Sequence, residues 1–273
     1  MKILKKVLDF YIQSSIHVAL SVYSLVQMTQ FMFYIPNDKP IANFAFFGTI
    51  VGYNFVKYDS YARTHKVQIR HSLKLIILVS VFSFLAVVFY FFQLQRCTQI
   101  VSVGVLVLTL LYTLPFFPNR RNARNWAGVK IYIVSLCWVG VTVVLPIIDA
   151  GIGITADFFL KSVQRFILVF VLILIFEIID LANDDPHLKT VPQQIGVRRT
   201  KNLGYILLMI FCALEILNSN FQQNPKHLLV VVVIAVIIAL FLAFVNEKRS
   251  KYYTSFWVES VPILWWMMIV FFL

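Results

Sequence analysis

Apolar runs about as long as a bilayer is thick recur from one end of this chain to the other. An α-helix rises 1.5 Å per residue, so about 20 apolar residues cross the hydrocarbon core. Nine stretches come close to that requirement, over 11–35, 41–58, 73–94, 99–117, 129–149, 157–180, 202–219, 228–245 and 254–272. Between them the sequence holds no linker, low-complexity run or repeat. Composition points the same way: 60% of the 273 residues are hydrophobic and 13% are charged. Soluble domains run near 45–50% and about 25%. A soluble fold of this size cannot hide so much apolar surface, which excludes a soluble enzyme and a disordered chain. The expected fold class is all-α: a polytopic membrane protein with nine transmembrane helices, residues 1–273 forming one transmembrane domain.

The charge of +12 has a topological explanation. With the N-terminus in the cytoplasm and the spans alternating, the cytoplasmic segments are 1–10, 57–74, 118–130, 181–201 and 246–253. They hold every lysine and arginine except Lys39, Arg96, Lys161, Arg165 and Lys226. That is the positive-inside bias, and it requires no nucleic-acid partner. Met1–Lys6 is basic, but no small-residue cleavage site follows, so a removable signal peptide is not expected. Cys97, Cys137 and Cys212 are far apart and suggest neither a zinc site nor a disulfide framework. The expected location is a bacterial plasma membrane, although the composition would suit an organelle membrane equally.

Chemistry has to come from the twelve acidic residues, because carboxylates within a membrane segment are costly and usually functional. The sixth span ends Phe176-Glu177-Ile178-Ile179-Asp180-Leu181-Ala182-Asn183-Asp184-Asp185. On a helix, Glu177, Asp180 and Asp184 fall within about 60° of arc on one face. Three like charges there repel unless a cation or basic groups compensate. Negative charge at a helix C-terminus also opposes the macrodipole. The plain alternative is a solvated acidic helix end. The loop that follows brings Lys189, Arg198 and Arg199 to the same membrane surface. Acids and bases together there suit a phosphate or diphosphate bridged by a hard divalent cation.

Glu177-x-x-Asp180-x-x-x-Asp184, followed by Leu188-Lys189-Thr190-Val191-Pro192 and Gly196, resembles the second Asp-rich motif of the UbiA superfamily of intramembrane prenyltransferases. That motif reads DxxDxxxD with a downstream Thr-x-Pro and a glycine. Tyr112-Thr113-Leu114-Pro115 is similar to the family's Tyr-Ser/Thr-x-Pro element. The resemblance implies nine transmembrane helices around a central cavity open to the cytoplasmic side. It also implies Mg²⁺ held by Glu177, Asp180 and Asp184, and a polyprenyl diphosphate donor.

The first motif of that family, NDxxDxxxD, has a degraded counterpart in Tyr53-Asn54-Phe55-Val56-Lys57-Tyr58-Asp59-Ser60-Tyr61-Ala62. Asn54 takes the asparagine position, but Phe55, Tyr58 and Ala62 stand where acids are expected. Asp59 lies about 140° round a helix from Asn54, whereas Lys57, Tyr58 and Tyr61 share the Asn54 face. The first metal site is therefore expected to be lost or replaced. Lys57 then either neutralises diphosphate as a point charge or serves as a positive-inside anchor. The remaining expectations are Asn54 as a polar diphosphate contact, Lys189 and Arg198 as diphosphate clamps with Lys57, and Tyr112 lining the cavity. Lys130, at the start of the fifth span, either points into the cavity or snorkels. His17 reads as a hydrogen-bonded core residue, Glu215 as interfacial, and Glu259 as the partner of a cation.

The leading functional reading is Mg²⁺-dependent transfer of a polyprenyl group from its diphosphate to a lipophilic or aromatic acceptor. A second is a catalytically impaired homologue that binds an isoprenoid diphosphate or supports a partner enzyme. A third is a transporter on a similar scaffold, which needs a polar path across the bilayer that the outer halves of these spans do not suggest.

Overall fold

The computed structural model of the chain describes residues 2–36, 39–64, 71–113, 128–182, 184, 188–218 and 224–273. These residues are helical almost throughout, with no strand among them. The elements are α1 (Lys2–Gln13), α2 (Ile16–Met32), α3 (Lys39–Thr64), α4 (His71–Phe91), α5 (Arg96–Thr113), α6 (Val129–Val139), α7 (Leu145–Asp149), α8 (Ala156–Asp180), α9 (Val191–Ile195), α10 (Val197–Ile216), α11 (Lys226–Phe244) and α12 (Val261–Phe272). A π-helical stretch, Gly140–Val144, joins α6 to α7, and a second, Tyr253–Val258, leads into α12.

Helix falls within each expected span, and among the described residues five stretches are long and apolar enough to cross a membrane by length and composition. They are Leu73–Phe91, Val129–Asp149, Ala156–Asp180, Lys226–Phe244 and Tyr253–Phe272. The other expected spans fall short for local reasons. The first, expected over 11–35, is broken at Ser14–Ser15, which leaves α2 with 17 residues. In α3 the run ends in Lys-Tyr-Asp-Ser-Tyr-Ala-Arg-Thr. The side chains of α5 are described as far as Leu110, and α10 opens on Val-Arg-Arg-Thr-Lys.

Packing follows chain order round a ring. α2 packs on α3 and α3 on α4; α5 packs on α6, α6 on α8, α8 on α10, α10 on α11, and α11 on α12, which returns to α2. α8 is the most enclosed of the five spans, with 72% of its apolar window buried. Thr155 starts it by accepting the Phe158 N–H, and Asp157 sits in its first turn, favourably for the dipole. Its apolar faces meet Leu25 and Met28 of α2, Phe211 of α10, Ile234 of α11 and Trp265 of α12 in one core. That core holds the end of α8 in place, and with it the acidic residues.

The break between α1 and α2 is built by side chains. Ser15 adopts a left-handed conformation, φ 61° and ψ 16°, which costs a non-glycine residue about 1–2 kcal/mol. Asn54 on α3 offsets that cost. Its Nδ2 donates to Ser14 O at 3.1 Å and to Ser80 Oγ at 2.9 Å, and its Oδ1 accepts from Ser15 Oγ at 2.8 Å.

Candidate functional site

The acidic face lies where α8 runs out. Glu177 is buried, 2% exposed, on the last full turn, and Asp180 beside it is exposed. The Asp184 N–H donates to Asp180 O at 2.9 Å. This i→i−4 bond ties Asp184 to the end of α8, and Asp184 acts on both Glu177 and Asp180. The segment after it folds back. The Val191 N–H donates to Glu177 Oε2 at 3.0 Å, which seats α9 against the buried carboxylate. A Thr190–Gln193 capping box starts α9, and Pro192 occupies its first turn.

The counter-charge comes from α6. Lys130, on its first turn, attracts both Glu177 and Asp180, while Asp184 repels both. Gly128 makes this approach possible. It has φ +70°, its N–H donates to Leu188 O at 3.3 Å, and a Cβ there would stand 3.1 Å from Gln194 Nε2. The start of α6 and the 188–194 segment thus touch, with Lys130 and Glu177 on either side of the contact. Beside them an open groove of about 300 Å³ is lined by Gly128, Val129, Tyr132, Val191, Gln194 and Ile195.

The remaining expected residues divide. Lys189 and Arg198 are exposed at this end of the bundle, and neither is paired with an acid among the described residues. Lys189 has φ 46°, and its carbonyl accepts from the Gln194 side chain. Asn54 and Lys57 go elsewhere. Asn54 is buried and commits both Nδ2 and Oδ1 to Ser14, Ser15 and Ser80. Lys57 donates to Gln13 O at 3.3 Å, lies 5.9 Å from the Tyr58 ring, and is attracted by Glu259. Lys57 and Glu259 thus attract each other without forming an ion pair. The side chains of Tyr112 and Asp59 lie outside the described residues, as do Asn183, Asp185, Pro186 and His187.

The donor set suits a hard cation with external ligands. Among the described residues no three His, Cys, Asp or Glu side chains stand close enough to hold a metal by themselves. Mg²⁺ does not require three, because it usually combines one or two carboxylates with phosphate oxygens and water. Asp184 Oδ2 is buried and has no hydrogen-bond partner among the described residues. Such an orphaned anionic oxygen, in a cluster of like charges, is what a cation would satisfy.

One further residue assignment changes. Glu215 is not interfacial: it is fully buried and ion-paired with Lys161. The end of α8 remote from Asp180 is correspondingly not apolar, because Lys161, Gln164 and Arg165 are buried there. Arg165 donates to Leu25 O at 3.2 Å and stacks 5.9 Å from the Trp265 ring. The expected core role of His17 is met. Its ring nitrogens lie 2.9 Å from Tyr11 Oη and 2.9 Å from Phe256 O.

This helical bundle has a solved counterpart. The structure of a UbiA homolog from Archaeoglobus fulgidus bound to Cd²⁺ superposes with a TM-score of 0.63. The match covers 95% of this chain and 97% of that one at 13% identity. The chain thus has the UbiA fold, which the resemblance over Glu177–Gly196 implied. By sequence alone it matches no protein-family model and no curated protein.

Proposed function

We propose that this protein, residues 1–273 acting as one membrane domain, is a Mg²⁺-dependent intramembrane prenyltransferase. It would move a polyprenyl group from its diphosphate to a lipophilic acceptor. The observation that carries the proposal is the end of α8, where Glu177, Asp180 and Asp184 act on one another, Lys130 opposes them, and Asp184 Oδ2 lacks a partner among the described residues. In this reading Glu177, Asp180 and Asp184 hold the metal. When bound, Mg²⁺ would draw negative charge from the diphosphate oxygens.

The chain's own residues do the rest. Lys130 limits the repulsion among the carboxylates, and Lys189 and Arg198, without acidic partners among the described residues, bind the outer diphosphate oxygens. The Val191 N–H fixes Glu177 Oε2, so the buried carboxylate presents its other oxygen in one orientation. Apolar helices exclude water from the allylic carbon, and charge developing on the leaving group meets preorganised donors in a low-dielectric site.

One observation favours a second reading, a homologue that binds the diphosphate without turning it over. Asn54 is committed to the α1–α2 break and Lys57 to the Glu259 side, so the first-motif segment offers neither to the acidic face. The test is Mg²⁺-dependent binding of geranylgeranyl diphosphate to purified protein, comparing the parent with Asp180→Asn, followed by a screen for transfer to quinol and phenol acceptors. Saturable binding lost in the variant, with product formed, supports the transferase. Binding without product favours the second reading, and no binding in the parent overturns both.

A further inference from the structure

An apolar groove of about 320 Å³ runs along the last turns of α11 and is closed at its end by one cation. Its walls are Ile237, Leu240, Phe241 and Phe244 of α11 with Tyr253, and Arg249 stands at its mouth. We propose that this groove binds one anionic membrane phospholipid, with an acyl chain along α11 and the headgroup phosphate on Arg249.

Arg249 is held for that task. Its Nε donates to Phe244 O at 3.0 Å, and its guanidinium lies 5.4 Å from the Tyr253 ring. Tyr253 is itself fixed, because its hydroxyl donates to Phe241 O at 2.7 Å and its ring meets Phe241 edge-on at 5.5 Å. The Nη amines of Arg249 have no carboxylate partner among the described residues, and the planar donor set of a guanidinium suits a phosphodiester. Around it the loop carries Lys248 and Lys251 beside Glu247, and Lys251 is ion-paired with Asp9 of α1 at 3.9 Å. Lys201 adds a further cation where it donates to Ala243 O and Val245 O.

Position and charge select the occupant. Leu240 and Phe244 are exposed on a span apolar enough to cross the membrane. Arg249 lies in the connection just past the end of that span, the depth at which headgroups sit. One pinned guanidinium matches a singly charged phosphodiester. A choline headgroup would set its own cation against Arg249 and Lys248. The groove has no carboxylate cluster for a divalent ion, so it is not a second diphosphate site.

The experiment is native mass spectrometry of the full chain in detergent, with added phosphatidylglycerol or phosphatidylcholine of identical acyl chains. The parent is expected to retain phosphatidylglycerol at least about fivefold better than phosphatidylcholine, the discrimination one interfacial arginine provides. Arg249→Gln, an exposed substitution, should erase that preference, and Leu240→Trp, which fills the groove, should lower retention of both lipids. Equal retention of the two lipids, or no change in Arg249→Gln, overturns the proposal. So does stoichiometric displacement of phosphatidylglycerol by geranylgeranyl diphosphate, which would make the groove a donor site.

Discussion

Lys161 Nζ lies 2.7 Å from Glu215 Oε2, and both side chains are buried, 4% and 0% exposed. The pair joins α8 to α10 at the end of α8 remote from the acidic face. Gln164 reinforces it by donating to the same carboxylate oxygen at 2.9 Å and to Phe211 O at 3.1 Å. Buried ion pairs seldom add net stability, but removing one partner leaves the other charge stranded.

Glu215→Gln is therefore expected to destabilise the protein by about 3–5 kcal/mol. The double variant Lys161→Met/Glu215→Leu should recover most of that loss, because it removes both charges together. Thermal unfolding in one detergent, compared across parent, single and double variants, checks the order. A double variant no better than the single one would mean that the pair, not the stranded charge, dominates.

Asp184→Asn separates electrostatics from metal binding. In chelator the variant should melt at or above the parent, because the substitution relieves repulsion of Glu177 and Asp180. With Mg²⁺ the parent should gain about 2.7 kcal/mol at a hundredfold excess over its Kd, and the variant much less. Melting curves with Mg²⁺ and with EDTA report both arms. A parent indifferent to Mg²⁺ would remove the metal from the site.

Asn54→Ala strands Ser14 O and leaves Ser15 in its left-handed conformation without the side chain that supports it. A loss of about 2 kcal/mol is expected, the scale of a buried polar group left unsatisfied. Mg²⁺-dependent diphosphate binding by the folded protein should survive. If binding is lost while the fold is retained, Asn54 belongs to the diphosphate site after all.

Gly128→Ala meets two obstacles, a φ of +70° and a Cβ 3.1 Å from Gln194 Nε2. The expected cost is about 1–2 kcal/mol. Because Gly128 sets the approach of Lys130 to Glu177, diphosphate binding should weaken more in this variant than in Gly48→Ala, where an added Cβ meets nothing within 4 Å.

The acidic face was legible because it depends only on helix period: Glu177, Asp180 and Asp184 share a face on any α-helix. Lys130 was only partly legible. Its residue type and membrane end follow from sequence, but its approach to Glu177 depends on how α6 packs on α8. The fate of Glu215 was not legible. The basic-residue bias orients segments and says nothing about which neighbour a lone acid meets, and here that neighbour is Lys161 from another helix. Asn54 occupied a motif position, yet its partners come from the Ser14–Ser15 break and from Ser80, neither visible to hydropathy. The shortfall in span length at α2 has the same origin, since a serine pair inside an apolar run does not announce a left-handed residue.

The π-helical stretch at Gly140–Val144 works as a one-residue shim in the fifth rod. A π turn takes in an extra residue, so every side chain beyond it is turned by about 100° relative to an uninterrupted α-helix. The wider turn also leaves Thr142 O to accept from Thr29 Oγ1 of α2 at 2.6 Å. Further on, the same offset delivers Asp149 Oδ1 to the Gln95 N–H, 2.9 Å away at the start of α5. Deleting one residue there would hardly alter the apolar length of the segment. It would still re-aim Asp149 and uncouple α2, so two sequences with the same hydropathy profile would encode differently wired bundles.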